Sequence, residues 1–167
     1  MTLRLASLGT GALLLLTAAA RTENRPPAQN TIEACSLLTT ADASKALEQT
    51  SQPGKRMVES SPDGCIWSAD PKMSDSSRRI AVNTHSQRAF TFAKSPAITT
   101  IKIEPVAGVG DEAFYQIYPK EQSPFIWVRK GTNAISIRIL GTKTNSFGLA
   151  LDKSKELALA KAAVAKL

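Results

Sequence analysis

The sequence has few of the residues that most often build metal and catalytic sites. Among its 167 residues there is one histidine, His85, and there are two cysteines, Cys35 and Cys65. A structural zinc site needs about four protein ligands, usually Cys or His, and no acidic segment has the spacing of an EF-hand loop. We therefore predict no metal ion and no cofactor.

Motifs of the common enzyme classes are missing as well. There is no Gly-x-Ser-x-Gly elbow, and Gly108-x-Gly110 lacks the third glycine and the following helix of a dinucleotide-binding loop. Asp111 and Glu112 come next and would repel a phosphate, so the segment predicts a turn with positive φ. His85, a serine and Asp111 supply the residue types of a catalytic triad, but almost any chain offers that combination. We interpret His85 as structural and predict no catalytic residue.

Long apolar segments are absent after the first twenty residues, since no later run reaches the roughly eighteen residues that cross a bilayer. The N-terminal segment has an early positive charge at Arg4, an apolar run over Leu8–Leu16 and a small-residue end at Ala18-Ala19-Ala20. This pattern predicts a secretory signal peptide over residues 1–20, cleaved near Ala20. No cysteine lies at or near the cleavage point, where a lipid anchor would need one. We expect a periplasmic or extracellular protein with no transmembrane anchor in the mature chain.

Residues 21–31 are polar, contain Pro26-Pro27 and lack any apolar period, which predicts a disordered tether. The remaining 32–167 have the length of a single domain. The chain is basic, with a net charge of +7, but its cations are scattered among acids. Scattered charge favours a solvated surface over a nucleic-acid site, and we predict no nucleic-acid partner. An anionic envelope polymer or membrane surface stays open.

Cys35 and Cys65 allow one pairing, and an even cysteine count in a secreted chain indicates a disulfide. A disulfide between them would close a loop of about 30 residues, and the chain-entropy model gives such a bridge about 3–4 kcal/mol of stabilisation. The alternative, a redox pair, would need Cys-x-x-Cys spacing, which is absent.

Apolar periodicity and turn residues predict three helices and six or seven strands. The helices are predicted from Thr39 or Thr40 to a stop at Pro53-Gly54, over Gln87–Lys94, and from Ser146 or Ala150 to Leu167 with an apolar stripe of Leu157, Ala160, Val164 and Leu167. The strands are predicted at Lys55–Glu59, Cys65–Ser68, Arg79–His85, Ile98–Ile103, Glu112–Tyr118, Phe125–Arg129 and Ala134–Leu140, with a turn over Ser60–Gly64.

This order predicts an α+β domain. We expect an antiparallel sheet of about five to seven strands, packed by helices mainly on one face. A long C-terminal helix and one disulfide complete the expected fold.

Four short motifs carry a resemblance to a known group of proteins. They are Cys35-Ser36-Leu37-Leu38-Thr39, Gly64-Cys65-Ile66-Trp67, Val106-Ala107-Gly108-Val109-Gly110-Asp111-Glu112-Ala113-Phe114 and Val128-Arg129-Lys130-Gly131. In this order the motifs resemble those of a family of small secreted or lipid-anchored bacterial domains of unknown function. The resemblance spans roughly Cys35 to Leu167. It implies a Cys35–Cys65 bridge and an extracytoplasmic domain, and it brings no catalytic residues.

Two tryptophans offer different interpretations. Trp67 lies two residues after Cys65, on the same side of its strand, which predicts a core position beside the disulfide. Trp127 lies in a hairpin near Arg129, and an aromatic beside a cation would suit a partner surface. We predict a non-enzymatic binding or interaction domain whose partner is an envelope protein or an anionic envelope polymer. The alternative is a small hydrolase or transferase that acts on envelope material through an unrecognised carboxylate site.

Overall fold

The computed structural model describes residues 32–73, 77–95, 100–119, 124–141 and 153–167. These residues form an α+β fold with one disulfide between Cys35 and Cys65, as predicted. The predicted signal peptide and tether lie outside the described residues. The elements are a short 3-10 helix Ala34–Ser36, helices α1 Thr40–Leu47, α2 Gln87–Lys94 and α3 Lys153–Val164, and strands β1 Lys55–Val58, β2 Ser61–Ser68, β3 Arg79–Ser86, β4 Lys102–Val106, β5 Glu112–Ile117, β6 Phe125–Lys130 and β7 Asn133–Leu140.

All seven strands belong to one antiparallel sheet with the order β1-β2-β3-β7-β6-β5-β4. The sheet consists of two meanders, β1 to β3 and β4 to β7, which join where β3 pairs with β7. That central pairing runs from Arg79 opposite Leu140 to Ser86 opposite Asn133. Because it joins strands distant in sequence, it alone determines which side chains of the two meanders become neighbours.

The main core lies between one face of the sheet and the layer formed by α1, α3 and the 3-10 helix. Alternate strand residues supply this core, and Ile80, Val82, Ile126, Val128 and the three isoleucines of β7 are nearly or fully buried. Cys65 and Trp67 belong to the same buried cluster. The predicted core position of Trp67 is thereby confirmed.

Helix α1 begins at the predicted position, with Thr39 as its N-cap. The Thr39 hydroxyl accepts the Asp42 backbone N–H at 3.1 Å, and the Asp42 carboxylate accepts the Thr39 backbone N–H at 2.9 Å. This reciprocal capping box satisfies two N–H groups that the first helical turn leaves without partners. The helix ends at Leu47, before the predicted stop at Pro53-Gly54, because Glu48 takes a left-handed conformation with φ 56°.

The first hairpin differs from its prediction. Ser61 to Gly64 are part of β2, so only Glu59 and Ser60 remain for the turn. The register of β1 against β2 is irregular in this segment, and regular pairing of β2 with β3 begins at Gly64. Pro62 therefore lies where a missing N–H breaks no regular ladder, which is the position a strand tolerates.

Two further boundaries are corrected. The strand predicted over Ile98–Ile103 is β4, Lys102–Val106; residues 96–99 lie outside the described part, and Thr100 and Ile101 precede the strand. The alternation of Ile98–Ile103 gave no signal for where pairing with β5 begins. For the C-terminal helix, the structure places α3 at Lys153–Val164, and the predicted start at Ser146 or Ala150 lies outside the described residues.

The buried side of α3 also differs from the predicted stripe. Leu159, Ala160, Ala163 and Val164 are its buried apolar residues, whereas Leu157 and Leu167 are only half-buried. Ala160 and Ala163 let the helix approach the sheet closely, so small side chains mark the contact. A search for large apolar residues alone misplaces such a face.

Candidate functional site

The second face of the sheet carries α2, and we call it the α2 face. Among the described residues α2 is the helix that packs there, with Phe90 and Ala93 against Phe114 and Ala134. Its contacts reach β3, β5, β6 and β7. Directly opposite residues of an antiparallel pair project to the same side of the sheet. The pairing register therefore assigns to this face Ile66, Ala81, Asn83, His85, Glu112, Phe114, Gln116, Phe125, Trp127, Arg129, Ala134, Ser136 and Arg138.

Trp127 lies at the centre of this face and is held on several sides. Its ring stacks on His85 with centroids 4.4 Å apart and faces Phe114 at 6.2 Å. The indole Nε1–H donates to Gln116 Oε1 at 3.0 Å, and Gln116 Nε2 donates to the Ala93 carbonyl of α2 at 3.2 Å. The side chain remains half-buried. Side chains of β3 and β5, the latter held by α2, thus fix the orientation of a partly exposed indole.

His85 supports Trp127 and is itself anchored. Its Nε2 lies 2.8 Å from Ser136 Oγ in a hydrogen bond across β3 and β7. Burial lowers the pKa of His85 below 6.5, against the opposing effect of the Asp63 carboxylate, so the ring is neutral at neutral pH. Ser136 is 2% exposed, which denies a substrate access to its hydroxyl. Asp111, the residue that could orient His85 in a catalytic triad, is instead bound to Gly131 and Arg129.

Asp111 closes the turn between β6 and β7. Its carboxylate accepts the Gly131 backbone N–H at 2.7 Å and lies 3.3 Å from an Arg129 nitrogen, while its backbone N–H donates to the Arg129 carbonyl at 2.8 Å. Arg129 also approaches Glu112 at 3.7 Å. The structure therefore places Arg129 on the same face as Trp127, but with its guanidinium directed to the acids of the neighbouring turn.

Arg138 is a residue of this face that the sequence reasoning missed. Its guanidinium carbon lies 4.6 Å from the centre of the Phe125 ring, a cation–π arrangement. The alternation of β7, in which isoleucines occupy every second position, puts Arg138 on the side opposite the core. This alternation can be read from the sequence, but only the pairing of β7 with β6 shows that Arg138 meets Phe125.

Five carboxylates have a pKa below the usual range: Glu33, Asp42, Glu48, Glu104 and Glu112. A hydrogen bond from Lys94, with further attraction from Arg129, lowers the pKa of Glu112, and hydrogen bonds from Lys102 and Lys153 lower that of Glu104. A general acid needs a raised pKa, which none of these groups has. Within the described ranges no cluster of three His, Cys, Asp or Glu side chains could hold a metal ion.

No known protein family, no curated protein and no solved structure matches this chain. The family resemblance of its four motifs stays a prediction. In the described part of the chain no helix is long and apolar enough to cross a membrane.

Proposed function

We propose that this protein is a secreted, non-enzymatic binding domain of the cell envelope, and that its partner contacts the α2 face around Trp127. The support is the fixed geometry of that residue. Its ring is stacked on His85 and its N–H is hydrogen-bonded to Gln116, yet the side chain stays half-buried. An aromatic group that is already ordered loses little conformational entropy on binding, and tryptophan is enriched among residues that dominate binding energy.

The location outside the cytoplasm has its own support. The Cys35–Cys65 disulfide joins the 3-10 helix to β2, and stable disulfides are typical of oxidising compartments. The predicted signal peptide over residues 1–20 agrees with this location.

Charge favours an anionic envelope polymer as the partner. The chain carries a net charge of +7. On the α2 face Arg138 lies beside Phe125, while Glu112, the acidic strand residue assigned to this face, is already paired with Lys94 and Arg129. Among the described residues, a negatively charged chain crossing β6 and β7 would meet aromatic rings and the Arg138 guanidinium, and the carboxylate assigned to this face, Glu112, is already paired.

The test is binding of dextran sulfate, compared with uncharged dextran, by isothermal titration and Trp127-dependent fluorescence. Arg138→Gln and Trp127→Phe change the α2 face, and Lys161→Gln removes one exposed charge from α3 on the other side of the sheet. We expect wild-type protein to bind dextran sulfate only, Arg138→Gln to weaken binding about fivefold or more, and Lys161→Gln to change it less than about twofold. Thermal unfolding confirms that each variant is folded.

Three results would overturn the proposal. Equal loss of affinity in Arg138→Gln and Lys161→Gln would show that the sulfated polymer senses only net charge. Absence of binding in all proteins would remove the polymer as partner, and turnover of envelope material by the wild-type protein would replace binding by catalysis.

A further inference from the structure

The two outer strands of the sheet are protected to different degrees. Strand β4 contains Pro105, which has no N–H to offer a neighbouring chain, and its Glu104 is paired with Lys102 and Lys153. Strand β1 has no proline, and all four of its residues are exposed. A long-established liability of such edges is that they pair with another strand.

Strand β1 also concentrates apolar exposure. Met57 is 50% exposed and Val58 is 58% exposed, and with Phe92 of α2 they are the large apolar side chains most exposed in the described residues. The irregular register against β2 does not distort β1 itself. Between the pair Arg56–Cys65 and the pair Val58–Ser61, β1 has one residue and β2 has three. The extra residues therefore lie on β2, and the outer side of β1 stays extended.

We propose that β1 pairs antiparallel with β1 of a second copy of this chain, around a two-fold axis at Met57. The sequence Lys55-Arg56-Met57-Val58-Glu59 is self-complementary in that register. Lys55 of each copy faces Glu59 of the other, the first residue of the turn after β1, and opposite charges that face each other across two strands stabilise the pair. Arg56, opposite Val58 of the other copy, already has its charge paired with Glu33 of its own copy.

The resulting dimer has a defined geometry and strength. A two-fold axis between antiparallel edge strands is perpendicular to the sheet, so the two sheets form one continuous sheet with both α2 faces on the same side. Pairing through a strand as short as β1 buries a small area, and such contacts associate weakly and reversibly. Two α2 faces on one side bind a repeating partner with increased avidity, although the dimer itself does not depend on the proposed function.

The competing explanation is that Lys55 and Arg56 are charges that keep the edge apart, a common device on edge strands. A charge exchange separates the two explanations. In sedimentation velocity over a wide concentration range, Lys55→Glu and Glu59→Lys each place like charges opposite each other in the dimer. We expect either single variant to weaken dimerisation about tenfold and the double variant to restore wild-type association within about twofold.

Lys45→Glu is the matched control. It makes the same charge change as Lys55→Glu at an exposed position of α1, away from β1, and should leave dimerisation unchanged. A wild-type protein that stays monomeric at every concentration would overturn the proposal. So would single variants that associate as strongly as wild-type, or a double variant as weak as the single ones.

Cysteine crosslinking tests the register independently. Directly opposite residues in antiparallel strands have Cα atoms about 4.5–5.5 Å apart, within the range of a disulfide. Met57→Cys, on the proposed axis, should crosslink two copies under mild oxidation much faster than Phe92→Cys, which is 75% exposed in wild-type but lies on α2. Equal crosslinking rates would contradict the proposed axis.

Discussion

Gly54 lies so close to the buried ring of Trp67 that a Cβ atom added to it would be 2.6 Å from Trp67 Cε2. Trp67 is 1% exposed and belongs to the same core cluster as Cys65. The backbone just before β1 therefore forms one wall of the tryptophan site. No flexible side chain lies between them, so a larger residue at position 54 has no simple way to be accommodated.

Gly54→Ala should consequently destabilise the fold by about 1–3 kcal/mol, the usual range for overpacking a well-filled core. Urea unfolding measures this change, and near-ultraviolet circular dichroism reports the displaced indole. Lys55→Ala alters the adjacent exposed residue and should stay within about 0.5 kcal/mol of wild-type. If Gly54→Ala is as stable as wild-type, the ring and the backbone are not in the contact described.

Gly108 and Gly110 form a second, internally controlled test. Both have positive φ, 74° and 59°, so alanine strains the backbone at each by about 1–2 kcal/mol. A Cβ on Gly108 meets nothing within 4 Å, whereas one on Gly110 would be 2.7 Å from Val128 Cγ1 and closer still to the Arg129 carbonyl oxygen. Gly110→Ala should therefore be clearly less stable than Gly108→Ala. Similar losses would mean that β6 moves away at little cost.

Removing the disulfide should lower the free energy of unfolding of the whole fold. The bridge between Cys35 and Cys65 spans 30 residues, for which the chain-entropy model gives about 3–4 kcal/mol. Reduction, or the double variant Cys35→Ala and Cys65→Ala, should lower the free energy of unfolding by roughly this amount in urea. A thiol assay on the unreduced protein should find no free thiols, and two thiols would contradict the bridge.

Local signals explain which elements sequence alone predicts well. Helix α2 has the predicted bounds, Gln87–Lys94, because Ser86 caps its start through the Ala89 N–H and Ser95-Pro96 follows its end. The β6–β7 hairpin is equally local, with Gly131 at φ 59° in its turn. In both cases a few adjacent residues determine the element.

The candidate site depends on pairing between distant segments. Asn83 lies opposite Ser136, and Ser136 lies opposite Trp127, through the β3–β7 and β6–β7 registers. No local pattern shows that β3 lies beside β7, so the stack of His85 on Trp127 was not predictable. For the same reason, the sequence did not predict that Asp111 and Glu112 bind Arg129.

Because His85 is half-buried, we expect it to make the stability of the fold depend on pH in a distinct range. Burial lowers its pKa in the folded state below 6.5, so the unfolded chain takes up a proton first as pH falls. Its contribution to stability is therefore complete above about pH 6.5 and is lost progressively as pH falls towards the lower folded-state pKa, by at most about 1.4 kcal/mol per pH unit. Glu104 and Glu112, whose pKa values are lowered, lose their contributions only as pH falls through and below about 4.5.

Between about pH 7.5 and pH 5 the stability of wild-type protein should therefore fall, while that of His85→Gln should stay nearly constant, even though the variant starts lower because it lacks the stack on Trp127. Urea unfolding at half-unit pH intervals measures both curves. The variant protein should still show the carboxylate-dependent loss at lower pH, which serves as the internal control. Parallel curves above pH 5 would mean that the folded state binds a proton at His85 as readily as the unfolded chain does, and that the imidazole is not desolvated between Trp127 and Ser136.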